Sequence, residues 1–296
     1  MIDGDNQRTG RKKSWHYGLV ADWWAEFNVD APELDLYRPY LGEPVLDAGC
    51  GAGRLLVPLH SAGVDIDGCD VSADMVARCR ERAPEATLWV SSLHELDPAR
   101  RYGSIVACGV FGLGTTRAED EEAIPRLFAS LEPGGMLILD NEVPYSSPRR
   151  WGWWAEPPDL PRPWPNEAAR KTCADGSEIA LRSRTVAIDP LDQCTHMEMR
   201  AEKLVNGEVV ATEEHALTMR MWFRDEIVMT LRHAGFQDVD VIQGVEPRIL
   251  AYLARKRSRS RCRDVQAPHY EGIGGALAAG RTVVNGDNSV RQRGSG

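Results

Sequence analysis

Lysine is scarce in this chain of 296 residues: only five of its 35 basic residues are Lys (12, 13, 171, 203 and 256), and acids outnumber bases, giving a formal charge of −9. Proteins that grip a phosphate backbone neutralise it with a basic surface, so a nucleic-acid partner is not expected. Cys-x-x-Cys pairs are missing too. The seven cysteines, at 50, 69, 79, 108, 173, 194 and 262, are odd in number and scattered, which argues against a disulfide framework or a metal site and for buried thiols. No run approaches the roughly 18 consecutive apolar residues of a membrane span, so no membrane partner is expected. Behind Arg11, Lys12 and Lys13 there is no apolar stretch of the kind a secretory signal needs, and the cytoplasm is the default location. The positive charge that exists is concentrated at one end. Residues 257–296 carry seven Arg against Asp264, Glu271 and Asp287, a net of +4 that leaves −13 on the rest.

What is present is an ordinary globular composition, 43% hydrophobic and 27% charged, with a regular alternation of elements. Residues 1–13 read as a disordered start, and Trp15 to Asn28 has aromatic and apolar residues at helical spacing. β-rich runs at 45–48, 64–69, 87–90, 104–108 and 136–141 then alternate with helical segments near 54–62, 72–82 and 119–131. Such alternation implies a mostly parallel sheet covered on both faces. Ser72 is an expected N-cap, and Pro133-Gly134-Gly135 an expected helix stop. From 145 to 165 the chain is rich in Pro and Trp and reads as a loop or lid. Three antiparallel strands are expected at 178–189, 195–204 and 208–222, with Asn206-Gly207 as a two-residue hairpin turn. A helix at 224–234 and strands at 238–243 and 249–255 complete the first sheet, and 257–296 reads as a disordered basic tail.

The chemistry is concentrated in Val45-Leu46-Asp47-Ala48-Gly49-Cys50-Gly51-Ala52-Gly53-Arg54, a strand running through glycines into a helix. Glycine lets backbone approach a ligand closely. A dinucleotide fingerprint needs its third glycine at position 54, which is Arg54, so NAD is disfavoured. Asp47, two residues before the first glycine, would repel a pyrophosphate but suits an ammonium group. Asp70 ends the next strand, 21 residues after Gly49, where a carboxylate can accept ribose hydroxyls.

On these residues the chain resembles class I S-adenosylmethionine (SAM)-dependent methyltransferases: VLDAGCGAGRL is similar to their first motif, GCDVSADMV to their ribose motif, and LEPGGMLIL to their fifth strand and its approach. The resemblance extends over roughly 17–255 and, with the insertion after the fifth strand, is nearest to sugar N-methyltransferases and glycine-type N-methyltransferases. It implies a Rossmann-like, mostly parallel seven-stranded α/β sheet with helices on both faces and an inserted antiparallel β-meander. The methyltransferase domain would span 14–256, with 145–222 as lid and meander. It also implies SAM as cofactor, with Asp47, Gly49, Cys50, Gly51 and Gly53 around its amino acid part, Asp70 at the ribose, and Val71 and Met75 beside the adenine. Ser92, Leu93 and Gly109 would complete that site, a Ser91-Ser92-Leu93 sequence standing where many members have an acid.

The acceptor wall is expected from Tyr17, Trp24, Trp153, Trp154, His215 and Trp222, because aromatics in lids can enclose a substrate. They can equally cover a core. No catalytic base is assigned: His215 and Glu142 are candidates, and His94 and His196 read as structural. Asp65 and Asp67 read as solvated strand-end carboxylates. The segment Asn141 to Tyr145 is similar to the NPPY loop of amino-methyltransferases but follows the fifth strand instead of the fourth, so the match is set aside. The reading is methyl transfer to N or O of a small-molecule metabolite, with secondary metabolism as its setting and a homodimer left open. The alternative is a SAM-fold protein that binds, cyclises or regulates without transferring methyl.

Overall fold

The computed structural model describes residues 16–144, 152, 156 and 158–258. Trp153, Trp154 and most of the start and tail lie outside the described residues.

A strand at the centre of a sheet is covered on both faces, and β1 (Val45–Ala48), apolar except for Asp47, is buried at all four positions. It pairs in parallel with β2 (Ile66–Asp70) on one side and β4 (Tyr102–Ala107) on the other. β3 (Thr87–Val90), β5 (Leu131–Glu142), β10 (Asp238–Gln243) and β11 (Ile249–Arg255) complete a seven-stranded sheet of order β10-β11-β5-β4-β1-β2-β3. Only the pairings of β11 with β10 and β5 are antiparallel within it. The two-residue period of the strands divides the core. Leu46, Ile105 and Leu137 face α5 (Arg117–Ser130) and α6 (Arg224–His233), while Val45, Val106 and Ile138 face α2 (Glu33–Tyr37), α3 (Leu56–Ser61) and α4 (Ala73–Arg82). The expected Rossmann-like sheet with helices on both faces is present.

Local signals act as expected at several joints. Ser72 caps α4, its side chain accepting from the Met75 amide at 3.2 Å, and a reciprocal Thr116–Glu119 capping box starts α5. Asn206 and Gly207 have φ of 53° and 81°, the left-handed pair that a two-residue hairpin needs. Among the described residues the inserted meander has four strands, one more than expected: β6 (Ala169–Thr172), β7 (Glu178–Asp189), β8 (Cys194–Val205) and β9 (Glu208–Arg220). β6 escaped the sequence reading because ARKT is exposed at every position and shows no apolar alternation.

A buried hub stitches this second sheet to the first. Asp120 of α5 accepts from the Thr115 hydroxyl at 2.6 Å and from the Trp222 indole at 3.0 Å, and the Trp222 carbonyl accepts from Asn141 Nδ2 at 2.7 Å. Gly112 and Arg220 are joined through the backbone, and the Gly114 amide donates to the Thr218 carbonyl at 2.7 Å. Trp222, expected in the acceptor wall, is instead 1% exposed and packed on Phe111, with ring centroids 5.0 Å apart. Trp222→Phe keeps most of the packing but leaves a buried carboxylate oxygen without its donor, which costs about 1–3 kcal/mol. Denaturant unfolding should show that loss, with ligand affinity close to that of the parent; an unchanged midpoint would contradict the hub.

Candidate functional site

Open α/β sheets bind ligands beyond the carboxyl ends of their strands, where the strand order reverses. Here the reversal lies between β1 and β4, and a cavity of about 720 Å³ is lined there by residues from the ends of β1, β2, β4 and β5. That volume is in the upper half of the roughly 300–1,000 Å³ usual for small-molecule sites. α1 (Gly18–Phe27) contributes Trp24 to the wall, and the inserted sheet contributes Thr185, Thr195, Met197 and Met219.

The three glycines of the loop do different jobs. Gly49 (φ +91°) has no room for a side chain, because a Cβ there would lie 2.2 Å from Val110 Cγ1. Gly53 (φ +88°) lets α3 approach α4, its Cβ position being 2.8 Å from both Cys79 Sγ and Val57 Cγ2. Gly51 (φ +52°) is the exception: nothing lies within 4 Å of where its Cβ would be, and it lines the cavity. The backbone is bare at that point without any intramolecular packing reason.

Asp47 is 3% exposed and lines the same cavity, and its Oδ2 has no hydrogen-bond partner. Burial pushes its carboxyl up to about 7, against the pull of Arg54 and a backbone hydrogen bond from Leu56. Asp70 accepts from the Gly51 amide at 2.9 Å and the Ser72 amide at 2.8 Å, one through each oxygen, so it anchors the glycine loop while lining the cavity. Burial raises its pKa as well, with those two amides opposing. Asp140, on β5, accepts from the Gly109 amide at 2.6 Å and the Tyr37 hydroxyl at 3.1 Å; burial raises it too.

Of the residues expected to hold cofactor, Asp47, Gly49, Cys50, Gly51, Asp70, Met75 and Gly109 line the cavity. Gly53, Val71, Ser92 and Leu93 do not. Val71 is 42% exposed, with its carbonyl accepting from the Tyr17 hydroxyl at 3.2 Å. Ser92 donates to Glu95 at 2.8 Å, and Leu93 packs against the core. Among the expected acceptor residues Trp24 lines the cavity, whereas Tyr17, His215 and Trp222 do not. His215 lies on β9 with Nε2 3.2 Å from Glu213, so of the two base candidates only Glu142 reaches the cavity. Trp164 is on the other face of the inserted sheet, with Arg184 and Arg200 stacked over its ring at 4.5 and 4.6 Å.

One of the two carboxylates read as solvated differs from that reading, while Asp65 is exposed as expected. Asp67 is not solvated: it is 7% exposed and takes Arg100 at 2.8 Å and the Tyr102 hydroxyl at 2.9 Å, while Asp65 receives the other arm of Arg100. Sequence reasoning missed His16, Tyr37, Glu33 and Asp140. His16 lines the cavity, and burial lowers its pKa to about 4, so its ring is neutral at pH 7. Glu33 pairs with Arg54 at the cavity wall. Asp140 carried one usable signal, an acid near the carboxyl end of a strand beside the reversal point.

Residues 45–135 match the family model of a methyltransferase domain. A dTDP-3-amino-3,4,6-trideoxy-α-D-glucopyranose N,N-dimethyltransferase of Streptomyces venezuelae is 28% identical over 127 residues, 43% of this chain and 53% of that protein. A trans-aconitate 2-methyltransferase of Delftia acidovorans is 35% identical over 131 residues, 42% of this chain and 48% of that protein. The chain thus spans about half the length of the curated relatives it matches. The solved structure of SAM-bound CalS10, an amino pentose methyltransferase from Micromonospora echinaspora, is similar in fold, with a TM-score of 0.52 and 22% identity, covering 82% of this chain and 92% of that one. Over residues 45–135 the chain is similar to a methyltransferase domain, and over part of its length it resembles a sugar N,N-dimethyltransferase.

Asp47 gives the ligand-free protein a specific pH dependence. Its folded pKa of about 7 lies above the ~3.9 of an unfolded aspartate, so the folded state holds a proton that the unfolded chain has released. The stability this proton confers is complete below about pH 4 and is lost as pH rises towards 7, at up to ~1.4 kcal/mol per pH unit. Urea unfolding across that window should fall more steeply with pH for the parent than for Asp47→Asn. Parallel curves would contradict the assignment.

Proposed function

We propose that the protein is a SAM-dependent methyltransferase that moves a methyl group to nitrogen or oxygen of a small-molecule metabolite, with secondary metabolism as its setting. The observation that carries this reading is the pairing of bare backbone at Gly51 with the unpartnered oxygen of Asp47 in one cavity. A buried carboxylate oxygen left without a donor is costly, and a ligand cation removes that cost. Asp47, Gly49 and Gly51 would hold the amino acid part of SAM, Asp70 the ribose, and Met75 would lie beside the adenine.

When bound, SAM supplies a methyl group already activated by a positively charged sulfur, so little chemistry is left to the side chains. This chain's residues then have three tasks: to hold the acceptor in line, to exclude water, and to let a proton leave it. Met197, Met219 and Val143 give the acceptor side an apolar lining, and Trp24 covers the site from α1. The half-buried Glu142 stands in the cavity as a carboxylate able to take a proton. An amine must be neutral when it attacks, and a hydroxyl must lose its proton during or before transfer.

The purified chain is expected to convert a responsive amine, phenol or acid into a product heavier by one methyl group. In Gly51→Ala the folded chain loses about 1–2 kcal/mol to the positive φ, and affinity for SAM falls at least tenfold because the new methyl enters the cradle. Binding of SAM without methyl gain in any acceptor class would favour a SAM-fold protein with a binding or regulatory role. Unaltered SAM affinity in Gly51→Ala would mean the cofactor is elsewhere.

A further inference from the structure

We infer that Thr185 and Thr195 are specificity-determining residues on the acceptor side of the cavity, and that the acceptor carries an uncharged oxygen, a hydroxyl or a carbonyl, on an apolar frame. The inference rests on the methyltransferase reading above and deepens it for the same site.

Strand register sets which residues of the inserted sheet face the cavity. Thr185 on β7 is opposite Met197 on β8, and Thr195, two residues earlier on β8, is opposite Met219 on β9. All four line the cavity, as the two-residue period of a strand requires of side chains on one face. The wall therefore alternates thioethers with hydroxyls. Both threonines are 8% exposed, and among the described residues no group is hydrogen-bonded to either hydroxyl. The opposite face of the same sheet shows the satisfied alternative: the hydroxyl of Thr218, the residue before Met219, lies 3.1 Å from Nδ1 of His196. Strand propensity alone does not account for Thr185 and Thr195. Valine has the same β-branched shape and brings no hydroxyl to be desolvated.

The backbone is irregular at the same place. The β7–β8 ladder steps from Thr185 opposite Met197 to Ala187 opposite His196, so Val186 is an extra residue on β7. Bulges of this kind bend a strand, re-aim the side chains beside them and are frequent next to binding sites. The Thr185 carbonyl accepts from the Arg162 amide at 2.9 Å, past the end of the pairing of β7 with β6, which holds this stretch of strand in place.

The chemistry of the pair follows from its surroundings. Methionine moulds itself to irregular apolar shapes, so Met197 and Met219 suit a hydrocarbon or ring frame. An acceptor that fills the cavity displaces water from the two hydroxyls and has to replace its hydrogen bonds. Each hydroxyl is an uncharged donor and acceptor, and a hydroxyl or carbonyl oxygen pairs with it without desolvating a charge. A bare hydrocarbon would leave both unpaired. Sites built to hydrogen-bond a polar group reject the analogue lacking it far more strongly than they reject one methylene more or less.

The test uses the full chain saturated with S-adenosylhomocysteine, whose binding is measured first. Failure of that step counts against the methyltransferase reading; success leaves the acceptor question isolated. Titration calorimetry then compares cyclohexylamine, trans-4-aminocyclohexanol and 4-aminocyclohexanone, which share one amine and one ring and differ in the oxygen. At least one of the two oxygenated probes should bind fivefold or more tightly than cyclohexylamine, and which one does so distinguishes a hydroxyl from a carbonyl. Thr185→Val and Thr195→Val should each lower that ratio, and the double variant should bring it close to one, with affinity for cyclohexylamine and S-adenosylhomocysteine unchanged. Thr185→Ser and Thr195→Ser keep the hydroxyls and should keep the ratio. A ratio of one in the parent, an undiminished ratio in the double valine variant, or no detectable binding of any of the three probes to the saturated parent would overturn the inference.

Discussion

The site depends on a carboxylate that the fold buries with one oxygen unpartnered. Asp47 occupies the central strand, where both faces of the sheet are covered, and a charge there costs several kcal/mol unless it is paired. The same protein shows the paired alternative nearby. Asp67, on the adjacent strand, has Arg100 and Tyr102 as partners, and Asp120 has Thr115, Trp222 and a distant Arg220. Those two carboxylates join elements together. Asp47 joins nothing through its Oδ2, and its raised pKa records that burial outweighs the pull of Arg54 and the Leu56 amide in the free protein.

That constraint organises its surroundings. Asp70 ties the amide of Gly51 to the end of β2, which fixes the bare stretch of loop beside Asp47. Asp140 does the same for the loop after β4 by holding the Gly109 amide, and it recruits Tyr37 from α2. α1 closes the site through charged contacts to two different parts of the chain: the Gly18 amide donates to Asp74 on α4 at 2.8 Å, and the Leu19 amide to Glu213 on β9 at 2.8 Å. The wall over the cavity is therefore anchored on the body and on the inserted sheet at once. Among the described lining residues the one histidine, His16, is kept neutral by burial.

Most of the first sheet was legible because its signals are local. The apolar four-residue runs of β1 and β3, the Ser72 cap and the Asn206-Gly207 turn each announce themselves within a few residues. The glycine loop and Asp70 were legible for the same reason, since strand end, turn and helix start follow directly in sequence. What was hidden depends on contacts across long intervals. Trp222 reads like a candidate lid aromatic until Asp120, 102 residues earlier, supplies its partner. Asp67 looks like an exposed strand-end acid until Arg100 arrives, 33 residues later. β6 has no apolar face, so only its pairing with β7 defines it. Spacing alone could not separate an aromatic that covers the core from one that covers a ligand.

On the proposed reading Asp47, protonated below neutrality in the free protein, would receive the cation of SAM. Calorimetric titration of SAM at pH 6, repeated in two buffers of different ionisation enthalpy, counts the protons released on binding. With a free-protein pKa of about 7, the parent should release close to one proton, and Asp47→Asn should release none and bind more weakly. Equal proton counts for the two proteins would contradict the account.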